Sequence, residues 1–235
     1  AIADFYPDTK LGITEYSFGG RHHISGAIAQ ADALGIFGRE GVSMAYYFGP
    51  VRDYIAAAFR LYRNYDGQGN GFESISVRAT VNAGGRNVQA YAAVGPTRAT
   101  IALVNEDAAP VDVTVSLGSF SATGAATVFA GNGNAITRQA DAPVQGNQAT
   151  VRLPATSFAM VVVTGIAPTL PDFSMPTPAD GGATVPGSAA TGCSCRLTAA
   201  ASQGRAMEAA GAAMLSLVLL RLLRRRRRSD ASAGG

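Results

Sequence analysis

The sequence has no tryptophan, a single lysine (Lys10), two histidines and two cysteines among its 235 residues. Only 15% of the residues are charged, whereas 47% are hydrophobic. This balance excludes wholesale disorder, because the apolar side chains are numerous enough to build one large domain or two smaller ones. Cys193 and Cys195 are too close in sequence for an unstrained disulfide, and two ligands make only half of a zinc site. We therefore expect no metal site and no cofactor.

Positive charge is scarce outside the C-terminal tail. The net charge is +3, but residues 192–235 carry eight arginines and two acidic groups. Residues 1–191 carry eleven basic and fourteen acidic groups, so this part of the chain is mildly acidic. Such a body offers no basic surface for a polyanion. We expect no nucleic-acid partner.

The sequence begins at Ala1, with neither an initiating methionine nor a signal peptide, and leads directly into a strand pattern. We interpret it as a piece of a longer protein. Long hydrophobic runs are also lacking, since the longest covers the twelve residues Ala209–Leu220. A helix of that length spans about 18 Å, whereas a membrane core is about 30 Å thick. The segment is therefore a marginal span that suits a transient signal better than a permanent anchor.

The first part of the chain, up to Asp66, alternates strand and helix patterns. Two short apolar runs predict strands at Leu11–Tyr16 and Val42–Phe48. Apolar residues at helical spacing predict helices from Ile24 to near Gly38 and from Tyr54 to Tyr62. The order strand, helix, strand, helix predicts parallel α/β packing, as in a doubly wound sheet or a (β/α)₈ barrel.

From Phe72 onward the helical spacing ends and short β-rich runs follow one another. Turn residues separate the runs, a pattern that predicts an antiparallel β-sandwich. The runs are Phe72–Val81, Val88–Val94, Thr100–Asn105, Val111–Leu117, Ala125–Phe129, Thr150–Leu153 and Ser157–Thr164. Residues 167–191 contain five of the eleven prolines and predict an extended linker. We therefore divide the chain into residues 1–66, 67–166, 167–191 and 192–235.

Glu15 ends a strand pattern that is otherwise apolar. Side chains alternate along a strand, so Leu11, Ile13 and Glu15 are expected on one side. In a (β/α)₈ barrel that side faces the interior, and catalytic groups lie at the C-terminal ends of the strands. From the pattern alone, Glu15 is either a catalytic carboxylate or a solvated residue at the rim.

Aromatic side chains of the second strand are candidates for sugar binding. By the same alternation Met44, Tyr46 and Phe48 share the inward side, and Phe48 falls at the same rim as Glu15. A carboxylate beside an aromatic ring suits glycoside chemistry, because the carboxylate stabilises or attacks an oxocarbenium-like centre. The aromatic face meanwhile stacks on the pyranose ring. Tyr46 and Phe48 are therefore predicted to bind substrate.

His22 and His23 follow the glycines of the loop after the first strand. They are candidates for hydrogen bonds to sugar hydroxyls or for orienting Glu15. Packing of the loop, or simple exposure, explains them equally well. Tyr16 points away from Glu15 by alternation, which favours a packing role for its ring.

The residues that carry a family resemblance lie in both parts of the chain. They are Ile13–Gly20, His23–Gly38, Tyr62–Gly69 and Ile101–Asn105. Together these motifs resemble the end of the barrel and the following sandwich of glycoside hydrolase family 44, over about Lys10 to Thr164. The resemblance implies a retaining endo-β-1,4-glucanase or xyloglucanase that acts on a β-glucan polysaccharide. It also implies a (β/α)₈ barrel followed by a β-sandwich, with Glu15 as the nucleophile.

The chain departs from that family in what it lacks. A barrel needs eight βα units, and this chain holds two, which resemble the seventh and eighth. The general acid/base of the family lies on the fourth strand, which this sequence does not contain. Phe48 stands where relatives often carry tryptophan. We expect the parent protein to be a monomeric glycosidase and this chain alone to be inactive.

The tail combines a proline-rich linker, Gly192–Cys195, an apolar segment and the arginine run Arg224–Arg228. This arrangement resembles the MYXO-CTERM sorting tail of myxobacterial surface proteins. The resemblance implies processing near a cysteine, either Cys193 or Cys195, and display on the outer surface of a Gram-negative bacterium. The arginine run is expected to stay cytoplasmic. An exposed helix with a basic end, or an RNA-binding arm, is the alternative.

A second function fits the same sequence. The β-rich region, displayed by the tail, is then a non-catalytic spacer or carbohydrate-binding module left from a truncated glycosidase. Its aromatic residues are spread over different runs rather than gathered in a platform, which disfavours tight polysaccharide binding. They are Phe72, Tyr91, Phe120, Phe129 and Phe158.

Overall fold

The computed structural model describes residues 5–6, 9–82, 85–168 and 194–199, with Asn82 and residues 194–199 described by their backbone alone. All of these residues belong to one compact unit. Most of the predicted linker, Cys193, the apolar run Ala209–Leu220 and the arginine run lie outside the described residues. The structure consists mainly of β-strands, with two helices of more than two turns among the described residues.

The N-terminal part contains two strands and two helices in alternation, as the sequence predicts. They are β1 (Leu11–Tyr16), α1 (Ile24–Arg39), β2 (Val42–Tyr47) and α2 (Asp53–Arg63). The two strands pair in parallel, because α1, which connects them, returns the chain to the end at which β1 began. The observed bounds lie within a residue or two of the predicted ones.

Small residues line the buried face of α1 and allow a close approach to its neighbours. Gly26, Ala27, Ala31 and Gly35 are buried along this helix. A Cβ atom at Gly35 would overlap Cδ2 of Tyr91, so only glycine fits beneath that ring. The apolar face of α2 packs against α1 and, like it, contributes to a core shared with the β-strands.

The remaining strands form a β domain, defined here as residues 72–168 together with 194–199. The strands are β3 (Ile75–Asn82), β4 (Val88–Val94), β5 (Arg98–Asn105), β6 (Val111–Ser116), β7 (Ser121–Ala122), β8 (Thr127–Gly131), β9 (Thr137–Arg138), β10 (Val144–Gln145), β11 (Gln148–Leu153), β12 (Ser157–Ile166) and β13 (Ser194–Ala199). Their hydrogen-bonded order is β10-β11-β6-β13-β3-β4-β5-β12-β8-β9, and β7 pairs with β12. All of these pairs are antiparallel except β13 with β3.

Two apolar cores hold the structure together. The first lies within the β domain, where alternate residues of β6 and β11 meet β5 and β12. The second joins both helices to the opposite side of β4, β5 and β12. Ala102 and Val104 of β5 face this second core, whereas Ile101 and Leu103 face the first. The central strands of the β domain are thus buried on both sides.

The seven predicted runs all contain strands, with ends shifted by at most three residues. The sequence did not indicate β13, which lies in the segment assigned to the tail. In the part of the chain that the structure describes, no helix combines the length and the hydrophobicity needed to cross a membrane.

Candidate functional site

The carboxyl ends of β1 and β2 meet at one edge of the small parallel sheet. The backbone N–H of Phe48 donates a hydrogen bond to the carbonyl oxygen of Tyr16, with an N···O distance of 2.8 Å. Glu15 immediately precedes Tyr16 and is exposed. Glu15 and Phe48 therefore lie at the same edge, as the sequence predicts.

The strict alternation predicted for β1 is wrong. The register shifts between Leu11 and Gly12 and again between Ile13 and Tyr16. As a result Gly12 pairs with Met44, whereas Ile13 falls on the other side of the sheet, with Tyr16. Thr14 and Glu15 lie between these two residues, and both are exposed. Such an irregularity re-aims side chains at the end of a strand.

One face of the parallel sheet is open and rich in large apolar groups. Met44, Tyr46 and Phe48 expose 54%, 61% and 65% of their surface. A Cβ atom at Gly12 would lie 3.0 Å from Cε of Met44, which places Gly12 on the same side. We call Met44, Tyr46 and Phe48 the open face. Contiguous exposed apolar groups of this kind mark a surface that another element or a ligand covers.

The opposite face of the sheet is fixed to the helices by aromatic rings. The ring of Tyr16 lies 5.0 Å from that of Phe37 and 5.5 Å from that of Tyr47, both edge to face. The hydroxyl of Tyr16 accepts a hydrogen bond from Nε2 of Gln30 at 2.9 Å. Burial raises the pKa of Tyr16, so its hydroxyl stays protonated. Tyr16 is a packing residue, as predicted, and it fixes the backbone beside Glu15.

His22 belongs to a polar cluster that the sequence did not indicate. Its Nε2 accepts hydrogen bonds from the guanidinium of Arg21, and its Nδ1 lies 3.3 Å from Oδ2 of Asp53. Asp53 begins α2 with a φ of 51°, a backbone conformation that is strained for a residue with a side chain. The cluster ties the loop after β1 to the start of the helix after β2. It gives His22 a partner on each ring nitrogen within the structure itself.

His23 caps α1. Its Nδ1 accepts a hydrogen bond from the backbone N–H of Ser25 at 3.2 Å and lies 2.9 Å from Oγ of Ser25. A side-chain acceptor in this position satisfies one of the free N–H groups of the first turn. Among the described residues, neither histidine forms a hydrogen bond or an ion pair with Glu15.

A second group of ionisable side chains lies where α1 packs on the β domain. The hydroxyl of Tyr91 donates to Oδ1 of Asp32 at 2.5 Å, and the guanidinium of Arg39 lies 5.8 Å from the centre of the Tyr91 ring. Nδ2 of Asn87 donates to Oε2 of Glu106 at 2.5 Å. Burial raises the pKa of Asp32, and Tyr91 and Arg39 oppose the shift. Burial and the nearby Asp32 raise the pKa of Glu106, which Asn87 opposes.

The remaining candidate residues are placed as follows. Within the described residues, histidine, cysteine and carboxylate side chains do not gather in groups of three that could hold a metal ion. Cys193 lies outside these residues, and Cys195 is described by the backbone of β13. The aromatic residues of the β domain are buried or half-buried, and none forms an exposed platform: Phe72, Tyr91, Phe120, Phe129 and Phe158.

Comparisons with known sequences point to one group of enzymes. No family model matches the chain. Endoglucanase A of Paenibacillus lautus is 41% identical over 172 residues, which cover 69% of this chain and 24% of that protein. The β-mannanase/endoglucanase A of Caldicellulosiruptor saccharolyticus is 46% identical over 93 residues, which cover 40% of this chain and 7% of that protein. The chain thus spans about a quarter or less of the curated relatives it matches.

Solved structures agree with the sequence comparison. CelM2, a bifunctional glucanase-xylanase from a metagenome library, matches with a TM-score of 0.63 and 32% identity over 70% of this chain and 33% of that one. A xyloglucanase of glycoside hydrolase family 44 from Paenibacillus polymyxa matches with a TM-score of 0.61 and 30% identity over 69% of this chain and 34% of that one. Over about two thirds of its length, the chain is therefore similar to part of the family 44 endoglucanases and xyloglucanases. The predicted resemblance to that family is confirmed at this level.

Proposed function

We propose that the chain is the C-terminal portion of a retaining endo-β-1,4-glucanase or xyloglucanase, with Glu15 as its nucleophile. The observation that carries this proposal is the position of Glu15. It is exposed at the carboxyl end of a parallel strand, beside Phe48, in a chain similar to endoglucanases. In this proposal the two strands and two helices are the last two βα units of a (β/α)₈ barrel, and the β domain is the sandwich that follows it.

The proposed reaction has two steps. The carboxylate of Glu15 attacks the anomeric carbon of a β-glucan, and an ester bond forms as the glycosidic C–O bond breaks. A second carboxyl group, supplied by residues upstream of Ala1, donates a proton to the departing oxygen. The same group then takes a proton from water, which attacks the anomeric carbon and releases Glu15. The two carboxyl groups must lie about 5 Å apart for this retaining course.

The open face supplies the surroundings that this chemistry needs. Tyr46 and Phe48 are exposed aromatic residues on the strand beside Glu15, and aromatic faces stack on pyranose rings. Upstream barrel strands would cover the lower part of the same face, around Met44. His22 and His23 act in this proposal through the loop and the helix cap that they stabilise, at the rim of the site.

The proposal is tested in the protein that includes the upstream residues. Glu15→Gln keeps the shape of the side chain but removes the nucleophile, so we expect turnover of a soluble β-glucan to fall by about 10³-fold or more. Glu15→Ala should regain turnover with azide, which replaces the carboxylate and gives the glycosyl azide of inverted configuration. Hydrolysis is measured as reducing ends released. The azide reaction is measured as glycosyl azide formed, because capture by azide creates no new reducing end.

The matched control is Glu40→Gln. Glu40 is also exposed, and its carboxylate pairs with Arg39 at the end of α1, away from the rim of the sheet. We expect this variant to retain wild-type turnover. Turnover within tenfold of wild type in Glu15→Gln, together with no azide rescue of Glu15→Ala, would remove Glu15 from the nucleophile role.

The tail is proposed to sort the protein to the outer surface of a Gram-negative cell. The sequence order of linker, Cys193 and Cys195, apolar run and arginine run supports this assignment. Surface display predicts that protease added to intact cells removes the enzyme, whereas a chain without Arg224–Arg228 stays protected inside. The alternative of a carbohydrate-binding module has little support, since the aromatic residues of the β domain are buried or half-buried.

A further inference from the structure

The strand β13 occupies an interior position of the β domain. Residues Ser194–Thr198 pair in parallel with Arg78–Asn82 of β3. Residues Arg196–Ala199 pair antiparallel with Val113–Ser116 of β6. A six-residue segment from the C-terminal tail therefore joins two strands that do not pair with each other in the described structure.

The slot that β13 fills exists because β3 changes partners along its length. Ile75, Ser76 and Val77 pair with β4, and the pairing ends there. Within the described residues, Arg78–Asn82 have only β13 as a ladder partner. The edge of β6 that faces away from β11 likewise pairs with β13 alone. Without a strand in this slot, two rows of backbone N–H and C=O groups would be open to pairing with any extended chain.

The sequence of β13 agrees with both neighbours residue by residue. Apolar positions pair with apolar positions, and polar positions pair with polar ones, on each side of the strand. The pairs are Cys195 with Ala79, Leu197 with Val81 and Val115, Ala199 with Val113, Arg196 with Thr80 and Ser116, and Thr198 with Asn82 and Thr114. Ala79 and Val81 pack against the β-domain core, and Val113 and Val115 belong to it. A shift of one residue would set Arg196 opposite core positions.

We propose that the slot between β3 and β6 is a strand-binding site whose ligand is the chain's own segment Ser194–Ala199. The tail then docks on the β domain by β-augmentation, in which main-chain hydrogen bonds give affinity and alternate side chains give specificity. Docking places Cys195 within the sheet, in register with Ala79. An enzyme that must bind this segment as an extended strand therefore acts only after β13 leaves the slot, because the main chain of β13 is paired on both sides.

The proposal is tested by native-state amide hydrogen exchange in the full chain. We expect the amides of Arg196, Leu197 and Thr198 to exchange at least about tenfold more slowly than in the urea-unfolded chain, because undocking must come first. Swapping two neighbours, Arg196→Leu with Leu197→Arg, keeps the composition and places the arginine at an apolar position of the strand. This double substitution should bring the three amide rates to the unfolded values. It should also remove the amide protection of Thr80, Val81 and Val115.

The matched control exchanges Arg205→Ala with Ala206→Arg, the same kind of swap outside β13, and should change neither readout. Amides of β5 report whether the domain remains folded, and Leu197→Ala provides a milder variant if the double substitution unfolds it. A synthetic peptide of residues 192–200 should bind the doubly substituted variant and restore the protection of Val81. Unprotected amides at residues 196–198 in the parent chain would overturn the proposal. So would protection of Val81 that survives the double substitution, since another segment would then fill the slot.

Discussion

Gly35 shows how a single missing side chain fixes the position of a helix. The ring of Tyr91 lies where a Cβ atom of residue 35 would be, and the hydroxyl of the same tyrosine reaches Asp32 one turn earlier. The glycine and the carboxylate thus hold α1 against the β domain at two points. The sequence places Gly35 within a helical pattern but gives no sign of Tyr91, which lies 56 residues later.

Adding a methyl group at Gly35 should destabilise the protein. We expect Gly35→Ala to lower the free energy of unfolding by about 1–3 kcal/mol, because the new methyl group overlaps the Tyr91 ring and the helix must move. Gly38 lies on the same helix, is exposed and has no atom within 4 Å of a built Cβ. Gly38→Ala should therefore raise the stability by up to about 1 kcal/mol. Urea unfolding of both variants checks the pair, and equal effects would contradict the packing argument.

The buried carboxyl groups should make stability depend on pH. Burial raises the pKa values of Asp32 and Glu106, so the folded protein holds these protons more tightly than the unfolded chain does. Their contribution is therefore complete below the unfolded carboxyl pKa and is lost as the pH rises through the raised values. Asp32→Asn should flatten the fall in unfolding free energy as the pH rises above about 4, measured by urea unfolding. Asp141→Asn, an exposed carboxylate, is the control that should leave the slope intact.

The parallel pair β1–β2 has one face on the helices and one face without cover among the described residues. Tyr16 and Tyr47 anchor the first face, and the open face carries the exposed residues. The helix-facing side was predictable from the apolar pattern of the two strands. The interrupted alternation of β1 was not, because a register shift depends on the backbone of the partner strand rather than on the side chains of β1.

The open face should make the 235-residue chain associate with itself. Met44→Gln combined with Tyr46→Ser replaces two apolar side chains that are more than half exposed in the described structure, so stability should change by no more than about 0.5 kcal/mol. Sedimentation should show less association than in the parent chain. In the protein with its upstream residues, the same change should lower stability, because in the proposed barrel the upstream strands cover Met44. Ile166→Ser, at a distant exposed apolar site, should leave association unchanged.

Most strands of the β domain were predictable, and β13 was not. Val111–Val115 has a period of two and lies between turn residues, so its pattern alone indicates a half-buried strand. Cys195, Leu197 and Ala199 also alternate with polar residues, but they follow a proline-rich linker and precede an apolar tail. Their pattern gains meaning only from the register with β3 and β6, which lie about 115 and 80 residues earlier, respectively. A single sequence does not contain that information.

At the scale of the whole molecule, the sequence boundary near residue 66 does not separate two cores. Leu61 and Tyr62 of α2 share one apolar cluster with Phe158 and Met160 of β12. Tyr62 also donates a hydrogen bond from its hydroxyl to the carbonyl oxygen of Ala31, which ties the two helices together beneath the same sheet. The composition change at residue 66 marks a change of secondary structure, whereas one buried apolar cluster contains residues from both sides of this boundary.

The helices and the β domain should therefore unfold together. Leu61→Ala in α2 should cost about 2–5 kcal/mol, since the side chain is fully buried. Native-state hydrogen exchange should show the same decrease in opening free energy for the slowest amides of α1 and of β5. Leu103→Ala, in the other core, should lower the opening free energies of both sets of amides equally. A loss confined to the element that carries the substitution would show two independent units.

The absence of tryptophan gives the hydrogen bonds of Tyr62 and Tyr91 an optical consequence. All intrinsic fluorescence of this chain comes from its eight tyrosines, with no indole to absorb their energy. A phenol that donates to a carboxylate, as Tyr91 does to Asp32, loses its excited state by proton transfer and emits weakly. A phenol that donates to a peptide carbonyl, as Tyr62 does to Ala31, also has a lower fluorescence yield. We therefore expect Tyr62 and Tyr91 to emit weakly in the native protein, and the tyrosine fluorescence to rise when α1 separates from the β domain.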